Sequence, residues 1–305
     1  MRTDTSNPPK DKTEGVSPEF FSIRTQLCWS IELRTNPMPP NPLPDEVLPI
    51  SVCIIAGNEA HRIGRALSSV QGWVDEIIVV INQDVADGTD TIARQFGAKV
   101  YREPWKGYVR QKNSAAEKAS RPWILGIDSD EAVSPALRAS LTRALQKEAG
   151  QPQFAAFEFP RCSRYFGAWI RHGDWYPDYS KRLWARGRAR WVGDEPHDSL
   201  QVDGRVGRLA GDLEHHSMES IEHQMRKTLR YAEVFANHCV QHDRKVGWSD
   251  LFFRPPLRFF RSYLLKRGFL DGWRGYAVAW TAAYYTFLRY FKALEAQGKI
   301  KVDRE

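Results

Sequence analysis

Between Ile50 and Glu131 apolar segments alternate with segments of helical spacing, and this alternation restricts the fold more than any other feature of the chain. ISVCIIA (50–56) reads as a buried strand, and HRIGRALSSV (61–70) carries its apolar residues at helical intervals. EIIVVIN (76–82) is a second strand, DGTDTIARQFG (87–97) a turn and helix closed by glycine, and AKVYREP (98–104) a short third strand. A helix over 112–119 follows, and then PWILGIDSDE (122–131), an apolar strand that runs straight into acids. Strands alternating with helices predict right-handed crossovers, an α/β fold and a mainly parallel sheet flanked by helices. Ligands of such sheets bind at the carboxyl ends of the strands.

The flanking regions differ in texture. Residues 1–49 hold nine of the 18 prolines, so this stretch is expected to be a flexible or extended leader. The α/β domain is expected over 50–217, with a helix over 134–147 and aromatic-rich strands over 154–170. Residues 218–305 read as a helical C-terminal lobe, broken at Arg254-Pro255-Pro256. Hydrophobic residues at 42% and charged residues at 27% exclude a disordered, collagen-like or polytopic membrane protein. Four dispersed cysteines and a polar start (MRTDTSNPPK) predict a reduced, cytoplasmic setting. The longest largely apolar run, Tyr276 to Leu288, is too short to span a bilayer.

Asp128-Ser129-Asp130-Glu131 is the sharpest chemical feature. At a strand exit, Asp128 and Asp130 share a face, so both carboxylates are aimed into the ligand cleft. Such hard oxygen donors suit Mg²⁺ or Mn²⁺ bound together with substrate phosphates. A solvated acidic turn or a helix N-cap before Ser134-Pro135 accounts for the same letters.

The ordered series CIIAGNEAHRIGRALSSV, DEIIVVIN, DGTDTIARQFGAKV, WKGYVRQKN, WILGIDSDE and DWYPDYSKRLWARGRARWVGDEPHD resembles family-2 glycosyltransferases. It is most similar to the branch that adds sugars to the lipopolysaccharide core of Gram-negative bacteria, over about residues 50–200 and again in GFLDGWRGY. The resemblance implies a GT-A (Rossmann-like) fold with a C-terminal helical lobe, a nucleotide-diphosphate sugar donor, a divalent cation and inversion at the anomeric carbon.

Carried over residue by residue, Ala56, Asn58 and Glu59 resemble the loop that cradles the nucleotide. The second strand of relatives ends in an aspartate that holds the base, whereas Ile81-Asn82-Gln83-Asp84 stands here. Asn82 can still pair with a pyrimidine edge, since an amide both donates and accepts. Gln111, Lys112 and Asn113 match the stretch that reaches nucleotide and phosphates. Asp130 is expected to bind the metal directly and Asp128 to reach ribose or metal through water, with Arg182 clamping the diphosphate. Asp178 is the first choice for the base, in a position that relatives place at the start of a helix or turn, with Glu195 and Asp198 as rivals. His197 resembles a histidine that completes the metal shell in relatives. His215 and His216 have no partner evident in the sequence.

Net charge is +7, and eight Lys/Arg fall between Arg244 and Arg274 against Asp250 and Asp271. Fourteen aromatic residues interleave from Phe252 to Phe291. Rings and cations on amphipathic helices suit an anionic membrane surface. A lobe packed on the catalytic domain is the other reading, and nucleic acid is not the expected partner. The sequence therefore predicts a peripheral glycosyltransferase on the inner face of the cytoplasmic membrane. The resemblance implies that it would move a hexose from a UDP-sugar to a glycolipid or oligosaccharide acceptor. A sugar nucleotidyltransferase, or a non-catalytic nucleotide- or membrane-binding relative, remains the alternative.

Overall fold

Leu48–Ala56 forms β1, buried on both faces along most of its length, as expected for the centre of a parallel sheet covered on two sides. The computed structural model describes residues 47–150, 152–193, 198–216, 218 and 220–300. These belong to one contact unit, residues 41–305. Helix α1 (Ile63–Val70) buries Ile63, Ala66, Leu67 and Val70, a single helical stripe. The chain continues through β2 (Val74–Asn82), α2 (Thr89–Gln95), β3 (Lys99–Glu103), α3 (Tyr108–Glu117), β4 (Trp123–Gly126), β5 (Glu131–Val133) and α4 (Pro135–Gly150). It then forms β6 (Ala156–Tyr165), β7 (Ala168–Trp169), β8 (Asp178–Ala185), β9 (Ala189–Val192), β10 (Ser199–Val202), β11 (Val206–Arg208) and β12 (Leu213–His215).

The main sheet runs β3-β2-β1-β4-β8-β6-β12-β5, with β7 and β11 also paired to β6. The first four strands are mutually parallel, so the carboxyl ends of β1, β2 and β4 lie along one edge. β8 runs antiparallel between β4 and β6. One face of the sheet packs Ile50, Val52, Ile54 and Phe159 against Leu67 of α1 and Leu137 and Leu141 of α4. The other packs Cys53, Ile78, Val80 and Trp184 against Ala115 of α3 and Trp191 of the β9–β10 hairpin.

Beyond the sheet come α5 (Ile221–Gln241), α6 (Trp248–Phe260) and α7 (Gly272–Ala296). Ser220 caps α5 by accepting the His223 N–H at 3.1 Å. The break expected at Arg254-Pro255-Pro256 does not occur, because α6 continues through both prolines. Proline's fixed φ is itself helical, and its missing hydrogen bonds are offset here by burial of Leu251 and Pro255 one turn apart on a single face. The chain turns instead at Arg261–Leu265 and Gly268–Asp271. A Cβ on Gly275 would lie 1.7 Å from the Gly268 carbonyl oxygen, so the start of α7 and this turn meet backbone to backbone.

The lobe docks on the loop between β7 and β8. Asp271 accepts the backbone N–H groups of Arg171 (3.1 Å) and His172 (2.9 Å). Asp174, nearly buried, is paired with Arg258 (2.7 Å) and Lys266 (2.9 Å). The packed-lobe reading of the tail is thus realised on its inner face. Its outer face leaves Phe252, Phe253, Leu257, Phe260, Leu265 and Trp280 more than half exposed. No helix among the described residues is long and apolar enough to cross a membrane.

Candidate active site

β4 stops at Gly126, earlier than the sequence suggests. A Cβ there would press within 3.1 Å of the Trp184 ring, so glycine lets the strand lie flat on that indole before the chain turns. The acidic residues therefore form a tight turn beyond the strand rather than its last rungs, closed by the Glu131 N–H donating to the Asp128 carbonyl at 3.0 Å. Glu131 is fully buried, and its carboxylate accepts the Asp128 N–H at 2.9 Å. The chain then enters β5, where Glu131 pairs with His215 of β12.

Around this turn the ion pairs form an unbroken ladder. Asp178 Oδ2 accepts both Nε (3.0 Å) and Nη2 (2.7 Å) of Arg161, whose Nη1 lies 3.5 Å from Glu131. Glu131 meets Arg182 at 2.7 Å, and the same Arg182 nitrogen meets Asp128 at 2.8 Å. Lys112 Nζ completes the series, 3.1 Å from Asp128 and 2.8 Å from Asp198. Burial alone would raise the Asp128 pKa, but the charges of Arg182 and Lys112 outweigh it and hold the carboxyl far below the usual range. Burial would likewise strip Arg182 of its proton, and Asp128 and Glu131 reverse that.

Asp130, two residues further along the turn, meets a different set of partners. Its Oδ2 is 3.6 Å from His215 Nε2 and 3.9 Å from Arg62, which is itself paired with Glu59. Burial works against ionisation of Asp130, and His215 more than compensates, so its pKa is lowered. Ser163 Oγ lies 3.1 Å from His215 Nδ1 and fixes the ring. His216 turns toward Trp169, and burial together with Arg65 and Arg164 pushes its pKa down to about 4.

The residues expected from the sequence to meet the nucleotide line the same edge. Ala56 is buried at the end of β1, Asn58 is exposed beyond it, and the Glu59 N–H donates to Thr89 Oγ1 at 2.9 Å. Asn82, half-buried at the end of β2, sits beside Gly57, with Nδ2 4.0 Å from where a Gly57 Cβ would stand. On α3, Asn113 grips the backbone of Trp191 through two bonds of 2.9 Å. The Gln111 amide is fully buried with neither polar atom hydrogen-bonded among the described residues.

The structure thus gathers Asp128, Lys112, Arg182, Asp198 and Asp178 into one network, with Asp130 on the same turn. Asp178 opens a strand, not a helix, and is half exposed. Arg182 lies beneath the acidic turn, committed to two carboxylates. Glu195 and His197 lie outside the described residues. Sequence reasoning missed Arg161, Glu131 as an anchor, and His215. Their roles arise from pairing of β5, β6, β8 and β12, which no local spacing encodes.

No group of three or more His, Cys, Asp or Glu suited to a metal occurs among the described residues. Asp128 and Asp130 nonetheless fit Mg²⁺ or Mn²⁺, because Mg²⁺ takes one or two carboxylates and completes its shell with water and substrate phosphates.

A parallel sheet with acids and a lysine at its carboxyl edge, and another acid across the network, agrees with the glycosyltransferase arrangement that the sequence resemblance leads one to expect. Residues 51–198 match the profile of Glycosyl transferase family 2. The chain is 32% identical over 269 residues to an uncharacterized glycosyltransferase of Rickettsia felis, spanning 83% of this chain and 92% of that protein. It therefore belongs to glycosyltransferase family 2, and its architecture is the one the resemblance implies. The lipopolysaccharide core biosynthesis glycosyltransferase LpsC of Rhizobium meliloti is 28% identical over 248 residues, 79% of this chain and 90% of LpsC. Among solved structures, the mannosyltransferase PcManGT of Pyrobaculum calidifontis, in complex with GDP-Man and Mn²⁺, aligns at 16% identity and a TM-score of 0.45. That alignment covers 88% of this chain and 80% of PcManGT.

Proposed function

We propose that the chain transfers a hexose from a UDP-sugar to a hydroxyl of a cell-envelope glycolipid, such as a lipopolysaccharide core, with inversion at the anomeric carbon. The observation that carries this reading is the ladder of alternating charges from Asp178 to Asp128 and Lys112. It ties a half-exposed carboxylate to a site built for phosphate charge. Similarity to LpsC supports the acceptor class.

Ala56, Asn58, Glu59, Asn82 and the unsatisfied Gln111 amide receive the nucleoside. Lys112 turns from Asp198 toward the diphosphate and offsets its charge. Arg182 keeps Asp128 ionised and in place. Asp128 and Asp130, with the neighbouring His215, would hold Mg²⁺ or Mn²⁺, to which His197 is the further ligand expected from the sequence; the ion would supply Lewis acidity to the departing diphosphate. Asp178 takes the proton of the acceptor hydroxyl, with Glu195 and Asp198 its rivals. The acceptor oxygen bonds to the anomeric carbon from the face opposite the diphosphate. The bond to the diphosphate breaks through an oxocarbenium-like state, and UDP leaves with the electron pair. The basic, aromatic outer face of the C-terminal lobe holds the enzyme on the inner face of the cytoplasmic membrane.

The test is product analysis with a panel of UDP-sugars, Mn²⁺ and envelope glycolipid. UDP release with inverted anomeric configuration is expected. Formation of UTP and sugar 1-phosphate when pyrophosphate is added to the UDP-sugar would make the chain a nucleotidyltransferase instead, and retained configuration would remove Asp178 as the base.

A further inference from the structure

A cavity of about 280 Å³ lies between the β7–β8 loop and the three C-terminal helices. Of its lining residues only Asp174 and Trp175 fall within the segment shared with family 2, residues 51–198. The rest come from the lobe, including Lys227 and Tyr231 of α5, Arg258 of α6, and Thr281 and Tyr285 of α7. Trp175 precedes Asp178 by only three residues. Tyr231, on the cavity wall, feels the charges of both Arg161 and Asp198, which belong to the catalytic network. The cavity therefore adjoins the side of the site where the proton acceptor stands.

Its chemistry is that of a carbohydrate site with a cationic end. Trp175, Tyr231 and Tyr285 offer ring faces, and Gln224, Thr228 and Thr281 offer polar groups. The Asp174 carboxylate is surrounded by Arg258 (2.7 Å), Lys266 (2.9 Å) and Arg261 (3.8 Å), so positive charge is in excess there. Lys227 lies 5.8 Å over the Tyr231 ring and makes no ion pair among the described residues.

We infer that this cavity binds an anionic sugar of the acceptor, carrying a carboxylate or a phosphate, with Lys227 and the Arg258 cluster facing the charge and Trp175 under the ring. The inference rests on the glycosyltransferase reading for its link to transfer, but its binding chemistry can be read without turnover.

The experiment is ligand-observed NMR on the full chain with glucuronate, glucose 6-phosphate and glucose as probes. Both anionic sugars, or one of them, should bind more tightly than glucose, and which one binds separates carboxylate from phosphate. Lys227→Glu should weaken that binding roughly tenfold. Calorimetric UDP binding with Mn²⁺ should be unchanged in the variant, which also reports that it is folded. Equal binding of glucose and the anionic sugars, indifference to Lys227→Glu, or displacement of the sugars by UDP would overturn the inference. Failure of the wild-type chain to bind UDP would instead sink the donor assignment and leave the cavity result standing.

Discussion

Glu131, wholly buried, accepts the backbone N–H of Asp128 and so shapes the turn that presents the two aspartates. The same carboxylate neutralises Arg182 from 2.7 Å. Glu131→Gln keeps the volume and an acceptor but leaves Arg182 and Arg161 short of a counter-charge. Breaking a buried pair from one side costs about 3–5 kcal/mol. Urea denaturation should show a loss of that order, and an unchanged midpoint would mean the network adds nothing to the fold.

Asp130 and Asp178 are expected to separate kinetically. Asp130→Asn removes an oxygen donor from the proposed metal site, so metal-dependent UDP binding by calorimetry should vanish along with turnover. Asp178→Asn should leave UDP binding intact while transfer falls by about 10²–10⁴. Transfer retained in the second variant would shift the base to Glu195 or Asp198.

How much of this was legible in the sequence follows from what local spacing encodes. The βα alternation from Leu48 to Glu117 is written in continuous apolar runs for the strands buried on both faces and in apolar periods of 3.6 residues for the helices, and the elements appear where these fall, with α3 beginning four residues earlier than expected. The acidic turn was visible because four polar letters follow a buried strand. Its supports were not, since Arg161 and His215 reach it only through β6 and β12, which the sheet brings beside β8 and β5 although both lie far from the turn along the chain. The Pro255-Pro256 pair misled, because its helical cost is local whereas its compensation, packing against α7, is tertiary.

Glu76 predicts an acid-sensitive step in stability. Its burial would raise its pKa, but Lys99 (2.7 Å), Ser51 (2.5 Å) and Ser120 (2.9 and 3.1 Å) hold the ionised form, giving about 2 against an ordinary 4.5. A carboxyl depressed in the folded state contributes stability above its unfolded pKa and loses it as pH falls toward the folded value. The loss should therefore run from about pH 4.5 down to about 2, and amount to roughly 3 kcal/mol. Glu76→Gln should flatten the stability profile in that window. A variant whose denaturation midpoint keeps the wild-type acid slope would assign the slope elsewhere, to Glu103 first, also depressed to about 2.

The turn between α6 and α7 supplies the membrane test. Leu264, Leu265, Phe269, Leu270 and Trp273 are each 45–79% exposed within ten residues, with Arg267 among them and Arg274 directly after. Rings and leucines at that density, beside cations, match the boundary between headgroups and acyl chains. Sedimentation with vesicles containing anionic lipid should capture the wild-type chain. Leu265→Glu with Leu270→Glu should weaken capture by about 30-fold or more, since a fully buried leucine is worth about 1.5–3 kcal/mol and these two have 79% and 56% of their surface free to bury. Arg267→Gln should cost about 1 kcal/mol, and only on anionic vesicles. Because these side chains are exposed, none of the variants should lower the melting temperature appreciably. Capture that ignores the leucines, or that falls equally on neutral and anionic lipid after Arg267→Gln, would return this face to ordinary protein surface.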